Sequence, residues 1–456
     1  MKKFFVATCV VLLSSFTALT AYANTAERQF PSIHLTADPE VLIDRETWFT
    51  GTVEIIDPTN PDNNTALQPA DVRGRGNSTW NFGQDKRPLR FRFPADAAQS
   101  ILGQEAEGRT WVLLANHFDL SLLRNYSMKY LSDYLVFDFN PTSLNVHVYL
   151  NGDYMGVYHL TDERDLDLGR MDYITMDSDP SVSEFVLERD RRSQRGDARP
   201  YLDFVMVYGV AYDIRFPNSG FRSVEQGQYV QQFLTQVSHA LRSGDAAAIE
   251  AIVDVDAFID FYLTLELSRD PDAGFSSLFM QILNQPEGRR LVKGPVWDFD
   301  MALGNAHGSR PAGPLAYRRN YWMHYFLQVP EFQERTAERW AHIKANYLPL
   351  VIERLAYLSE HYAHEFVRNF EQHDILTTGY GGLSRNRTHT TGMRNHPDVL
   401  AIDTHQGQVA HLIDFLTERA DWLTTFLNNP IPSNLTLTDQ DFNDGRSNND
   451  SESQPD

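Results

Sequence analysis

Hydrophobic and polar positions alternate in twos through the first part of the chain and recur at intervals of three and four through the second. In Leu89-Arg90-Phe91-Arg92-Phe93 the alternation puts three apolar side chains on one face and two arginines on the other. This predicts a half-buried strand closing a β-rich stretch, residues 41–93. A second strand is predicted at residues 111–115. After Asn116-His117-Phe118-Asp119, the residues Leu122, Leu123, Tyr126 and Tyr130 recur at helical spacing to about Leu135, with Asp119 placed to N-cap that helix. Residues 145–150 and 153–160 alternate on either side of Asn151-Gly152, the dipeptide that most favours a type I′ hairpin. Residues 185–188 and residues 212–216, stopped by Pro217, predict two further strands.

Beyond Arg222 the period changes. Tyr229, Phe233, Val237 and Leu241 mark one helix, and Phe258, Phe261, Tyr262 and Leu265 another. A short β interruption over residues 275–297 precedes helices at 320–328, 331–373 and 397–428. No internal repeat is visible. The pattern predicts an α+β fold: a β-rich N-terminal lobe (24–190) carrying one helix, then a larger helical C-terminal lobe (191–429) with a small sheet near its start. Two such lobes leave a cleft, and clefts hold ligands. Residues 430–456 are Asn, Asp, Ser and Pro with few large apolar side chains, which predicts a disordered acidic tail.

The first residues change the picture of where the protein works. Lys2 and Lys3 precede an apolar run at 4–19 and the small-residue pattern Ala21-Tyr22-Ala23, so residues 1–23 are expected to be a signal peptide cleaved after Ala23 and the protein to be exported, periplasmic or extracellular. No other apolar stretch reaches the roughly 18 residues that a membrane anchor needs. The one cysteine, Cys9, lies in that leader, which excludes disulfides, cysteine-ligated zinc and thiol nucleophiles from residues 24–456. A formal net charge of −21 disfavours nucleic acid and anionic membranes as partners and favours cations.

Three constellations carry candidate chemistry. In Arg73-Gly74-Arg75-Gly76-Asn77-Ser78-Thr79-Trp80, followed by Lys86-Arg87-Pro88, glycines that admit a close backbone approach alternate with cations that complement phosphate; an ordinary turn anchored by Trp80 is the other reading. In Lys293-Gly294-Pro295-Val296-Trp297-Asp298-Phe299-Asp300, an extended backbone would set Asp298 and Asp300 on one face, a hard-cation pair, with Trp297 and Phe299 on the other; acids capping a turn are the alternative. In Glu266-Leu267-Ser268-Arg269-Asp270-Pro271-Asp272, Pro271 breaks a helix and leaves Asp272 in a rigid loop suited to orienting an attacking hydroxyl. Glu188 and Asp190 form a further acidic pair at a strand end.

These motifs, with Leu113-Leu114-Ala115-Asn116 through Leu122-Leu123-Arg124-Asn125, Asn151-Gly152-Asp153-Tyr154-Met155-Gly156-Val157-Tyr158, Ser276-Ser277 and Gly304-Asn305, resemble the CotH family of spore-coat-protein-H-like, atypical secreted protein kinases over most of residues 70–305. The resemblance implies a two-lobed, protein-kinase-like fold that binds ATP with Mg²⁺ or Mn²⁺ and phosphorylates Ser or Thr of partner proteins or of itself. By position it implies Asp272 as the catalytic acid, Asp298 and Asp300 as metal ligands, and Arg75, Lys86 and Glu188 as nucleotide-side groups. Phosphoryl transfer asks for little else: cations, a metal and one positioned carboxylate. Three features depart from the pattern. Asp270 stands where Asn is expected, Asp162 stands where Glu is usual, and residues 278–284 supply no basic side chain after Ser276-Ser277.

Two other classes compete. A noncatalytic surface scaffold or adhesin would keep the cleft for binding alone. A zinc hydrolase would need more than Glu360-His361 and His364-Glu365, whose imidazoles stand three apart and lack the His-Glu-x-x-His spacing that puts them one turn apart. Ser276 and Ser277 carry no nucleophile motif. The oligomeric state and the phosphate acceptor are not written in the sequence.

Overall fold

Seven strands close into a barrel: β1 (Ser32–Ala37), β2 (Phe49–Ile56), β3 (Thr65–Gly74), β4 (Leu89–Arg92), β5 (Thr110–Leu114), β6 (Leu144–Leu150) and β7 (Asp153–Asp162), in the order β1-β2-β3-β4-β5-β7-β6. The computed structural model describes residues 28–40, 42–76, 78–82, 86–104, 107–162, 174–190, 196–218, 220–274, 276–306, 309–378 and 395–431. The expected signal peptide, Glu163, Phe275 and all but the first two residues of the expected tail lie outside them. Antiparallel neighbours make up most of the barrel, and the parallel pairing of β6 with β1 closes it. The alternation of β4 comes out as expected. Leu89, Phe91 and the following Phe93 fill the interior with Val72, Trp111 and Leu160, while Arg90 and Arg92 point outward and join Arg73 around the Trp48 ring at 5.3, 4.1 and 4.6 Å. The β6–β7 hairpin turns on Asn151 and Gly152, both with positive φ, as a type I′ turn requires.

The short helix α1 (Ser78–Phe82) follows β3, and α2 (Arg124–Ser132) follows β5. The N-cap of α2 is Leu123, without a side-chain bond, so the capping role expected of Asp119 is corrected: it lies five residues before the first helical residue. Asp119 is bound into the approach instead, accepting from Ser121 N at 2.9 Å and Arg124 N at 2.8 Å and pairing with the buried Arg124 guanidinium at 2.5 Å.

A second sheet runs β12-β11-β8-β10-β9, from β8 (Phe185–Arg189), β9 (Phe204–Val207), β10 (Val210–Phe216), β11 (Leu278–Gln285) and β12 (Gly288–Lys293). It draws β8 from before residue 190 and the other strands from after it. Against it pack α3 (Val224–Ser243), α4 (Ala246–Glu250) and α5 (Val255–Ser268); α3 opens on a capping box between Ser223 and Gln226 and stops at Gly244 in the left-handed region.

Helices α6 (Ala316–Arg319), α7 (Tyr321–Leu327), α8 (Pro330–Asn346), α9 (Leu348–His361), α10 (Ala363–Gln372), α11 (Ile375–Thr378), α12 (Pro397–Ala401) and α13 (His405–Leu427) complete the helical region. The single helix expected over 331–373 is three. Tyr347 ends α8, Pro349 fits the first turn of α9 where its missing N–H costs nothing, and Tyr362 separates α9 from α10. The architecture is α+β, β-rich first and helical after, consistent with a two-lobed, kinase-like arrangement. Among the described residues no helix is long and apolar enough to cross a membrane.

The barrel interior and the helical core are separate apolar clusters. The second face of β5 joins them through Val112 and Leu114, which pack with Phe279 and Trp297. Beside that contact lie buried polar residues: Thr161 and His159, paired with Val112 and Leu114, and Asn116 just past β5. The candidate site is built in this layer.

Candidate functional site

Helix α5 ends at Arg269, a left-handed C-cap with φ 48°, and Pro271 prevents its resumption. The turn that follows carries Asp270 and Asp272, and the Asp272 N–H donates to Asp270 Oδ1 at 2.9 Å. The last turn of α5 is fixed by Glu266. Its carboxylate accepts from Leu315 N at 2.7 Å and Tyr317 N at 3.0 Å and pairs at 2.5 Å with Arg419 of α13, neither side chain having any solvent exposure. Arg319, at the end of α6, donates to the Pro271 carbonyl at 2.5 Å and sets a positive charge beside Asp270 and Asp272.

Asp298 and Asp300 do not share a face through strand geometry. The extended backbone expected over residues 293–300 ends already at Lys293, since Gly294 takes φ 113° and Asp298 φ 72°; Trp297 packs with Val112, Leu114 and Phe279, and Phe299 with the helical core. Tertiary bonds hold this conformation: Ser277 Oγ donates to Asp298 Oδ2 at 3.1 Å, and Phe299 N donates to Asn125 Oδ1 at 2.8 Å. Among the described residues ten non-glycine residues take positive φ, and three of them lie at the acids: Arg269 immediately before Asp270, Ser277 bonded to Asp298, and Asp298 itself. Such conformations cost about 1–3 kcal/mol each and cluster where a surrounding structure over-determines a functional geometry.

The carboxylates share one electrostatic field. Burial first, then the charges of Asp298, Asp119 and Asp272, hold the Asp300 carboxyl well above the usual range. Burial, then Asp272 and Asp298, raise Asp270 in the same way, and Asp270 Oδ2 is buried with no hydrogen-bond partner among the described residues. Among those residues no three His, Cys, Asp or Glu side chains are placed to hold one metal ion, so the acids share a field rather than a coordination shell. Magnesium bound with a nucleotide needs only one or two carboxylates, completing its shell with water and phosphate oxygens. An all-oxygen donor set with like charges pressed together and an orphaned buried carboxyl oxygen suits such a hard cation.

Cations flank the acids. Arg75 and Lys129 lie over the Trp297 ring at 5.9 and 4.4 Å, immediately before Asp298. Lys86 is fully buried, donating to the Val157 carbonyl at 2.5 Å, with its basicity pulled well down by burial and partly restored by Asp119. Glu188 forms an ion pair with Arg215 at 2.5 Å. The structure thus gathers Asp272, Asp298 and Asp300 into one field, sets Arg75 beside it, links Lys86 to it through Asp119, and engages Glu188 with Arg215. The glycine loop has a packing role: a Cβ on Gly74 would lie 2.1 Å from the Trp80 ring, which Arg87 covers at 4.8 Å.

Sequence reasoning missed Asp119, Asn125 and Arg319. Asp119 carried a visible signal but was assigned to capping; Arg319 lies beyond the last motif and had none. Likewise Glu365, noted only as half of a weak zinc pattern, is hydrogen-bonded to His147 of β6. A search of curated proteins found no match to the chain. The sequence profile described as CotH kinase protein matches residues 72–423, over three quarters of the chain and all of the acidic field, and the chain belongs to the CotH kinase family.

Proposed function

We propose that the protein transfers the terminal phosphoryl group of ATP to Ser or Thr hydroxyls of partner proteins or of itself, outside the cytoplasm. Family membership supports a kinase-like role. The observation that carries the reading is the acidic field, in which Asp272, Asp298 and Asp300 raise or border one another's carboxyls between two sets of cations.

Asp298 and Asp300 are the residues that would hold Mg²⁺ or Mn²⁺, which when bound offsets the charge of the phosphates. Asp272, on the rigid turn after α5, orients the acceptor hydroxyl and takes its proton as the oxygen bonds to the γ-phosphorus and the bond to the β–γ bridging oxygen breaks. Arg75 and Lys86 attract the nucleotide's phosphates, and Glu188 with Arg215 borders the nucleotide side. Asp270, the departure from Asn, has its carboxyl biased toward the neutral acid by burial and by Asp272. A neutral acid can donate a hydrogen bond as an amide does.

The test is incorporation from γ-labelled ATP by residues 24–456, alone and with a generic acceptor protein, with and without Mn²⁺, beside Asp272→Ala and Asp300→Ala variants shown to be folded. Metal-dependent incorporation lost in both variants supports transfer. Metal-dependent nucleotide binding without incorporation means a pseudokinase or an absent acceptor, and absence of binding defeats the kinase reading and favours the noncatalytic scaffold.

A further inference from the structure

The support of Lys86 comes from a part of the chain that the kinase reading leaves unused. Among the described residues its one hydrogen bond goes to the Val157 carbonyl, and the nearby acid Asp119 is already engaged by Ser121 and Arg124. The buried ammonium lies over the Tyr158 ring at 5.0 Å and has N–H groups beyond the one the carbonyl takes. That carbonyl sits at an irregularity of the barrel. The β6–β7 register shifts between Val148 and Tyr149, and opposite it Gly156 takes φ 100°.

Helix α10 fills this irregularity. Asn369 Oδ1 accepts from Val157 N at 3.1 Å, and His373, just past the helix, bonds the Met155 carbonyl through Nε2 at 2.9 Å. Because the Val157 N–H fixes which amide atom is the oxygen, Asn369 Nδ2 faces away from it, buried and with no hydrogen-bond partner among the described residues. The fit is close: a Cβ on Gly156 would lie 2.6 Å from Asn369 Oδ1 and 3.1 Å from Lys86 Cε. One glycine therefore admits both the amide and the lysine stem.

We propose that Asn369 is a positioning residue for phosphoryl transfer: by holding the Val157 N–H it fixes the strand residue whose carbonyl, in the following peptide, accepts from Lys86, and so sets where the Lys86 ammonium stands toward the nucleotide's phosphates. This rests on the reading of Lys86 as a nucleotide-side group. It gives α10, far outside the motif-bearing region, a part in nucleotide binding.

The test measures binding of a non-hydrolysable ATP analogue with Mn²⁺ by calorimetry to the native protein, Asn369→Leu, Asn369→Asp, Lys86→Ala and the Lys86→Ala/Asn369→Leu double variant. Loss of the partner that orients a metal ligand weakens a site by about 10–100-fold, and by analogy Asn369→Leu is expected to bind about tenfold more weakly. Asn369→Asp, which keeps the acceptor for Val157 N–H, is expected to bind near the native level, and the double variant no more weakly than Lys86→Ala. Native-like binding by Asn369→Leu, or additive losses in the double variant, overturns the proposal. Native-like binding by Lys86→Ala overturns the assignment of Lys86 beneath it, a distinguishable failure. Should Asn369→Leu not fold, hydrogen exchange on the native protein decides: nucleotide-induced protection of residues 155–157 together with α10 supports the proposal, and protection that leaves α10 unchanged overturns it.

Discussion

Replacing Arg419 by Met removes the guanidinium that ties the last long helix to the end of α5. That group makes four bonds from a fully buried position, to Glu266 Oε1 at 2.5 Å and to the carbonyls of Glu266, Pro311 and Gly313 at 2.9, 2.7 and 2.8 Å. Met keeps most of the stem volume, so packing changes little and the electrostatic loss dominates. Breaking a buried pair by removing one partner costs about 3–5 kcal/mol, because the survivor is left charged and unpaired. Here Glu266 retains two backbone donors, Leu315 N and Tyr317 N, which places the expected loss near the lower end, about 3 kcal/mol. Urea unfolding at pH 7 of residues 24–456 measures it. A single variant that loses under about 1 kcal/mol refutes the reasoning.

Three further outcomes follow from burial. His405 stacks on Phe366 and bonds the Ser121 carbonyl, and burial pulls its ring down to about 4. A lowered histidine supports the fold while neutral and loses that support as pH falls through the window from about 6.5 to about 4, so the native protein should lose about 2–3 kcal/mol more than His405→Gln between pH 7 and 4.5; parallel urea midpoints would count against it. Asp270 has the opposite sign: its raised carboxyl favours folding below the unfolded value of about 3.9 and loses that advantage as pH rises. Asp270→Asn should therefore raise the urea midpoint at pH 7 but not below about pH 4, and equal midpoints at pH 7 would refute it. Gly74→Ala, whose new methyl would meet the Trp80 ring at 2.1 Å, should lower stability by about 1–3 kcal/mol in thermal melts, whereas an unchanged midpoint would mean that the ring moves freely.

What could be read from the sequence was local. The Asn151-Gly152 turn and the Leu89–Arg92 alternation are decided by a handful of neighbouring residues, and both appear as expected. The β9–β10 hairpin escaped because its turn is Tyr208-Gly209: Tyr208 takes φ 49° without the Asn or Asp that usually announces such a turn. Barrel closure escaped because β1 and β6 pair in parallel across more than a hundred residues, which no local pattern encodes. The site divided in the same way. The acids were legible as residue types, but the left-handed turn at Asp298 is imposed by Ser277 and Asn125, and the support of Lys86 comes from an asparagine 212 residues from its partner.

The buried Glu266–Arg419 pair also has a consequence in time. A ribosome delivers Asp272 well before Arg419, so a chain still being made has its acidic loop but lacks the clamp on the helix that presents it. The end of α5 then stays unclamped until the last long helix is delivered, and in a nascent or clipped chain that ends before α13 Glu266 keeps only its backbone donors. Loss of the residues from α13 onward would loosen the helix that carries the Asp270–Asp272 turn without removing one acid of the field.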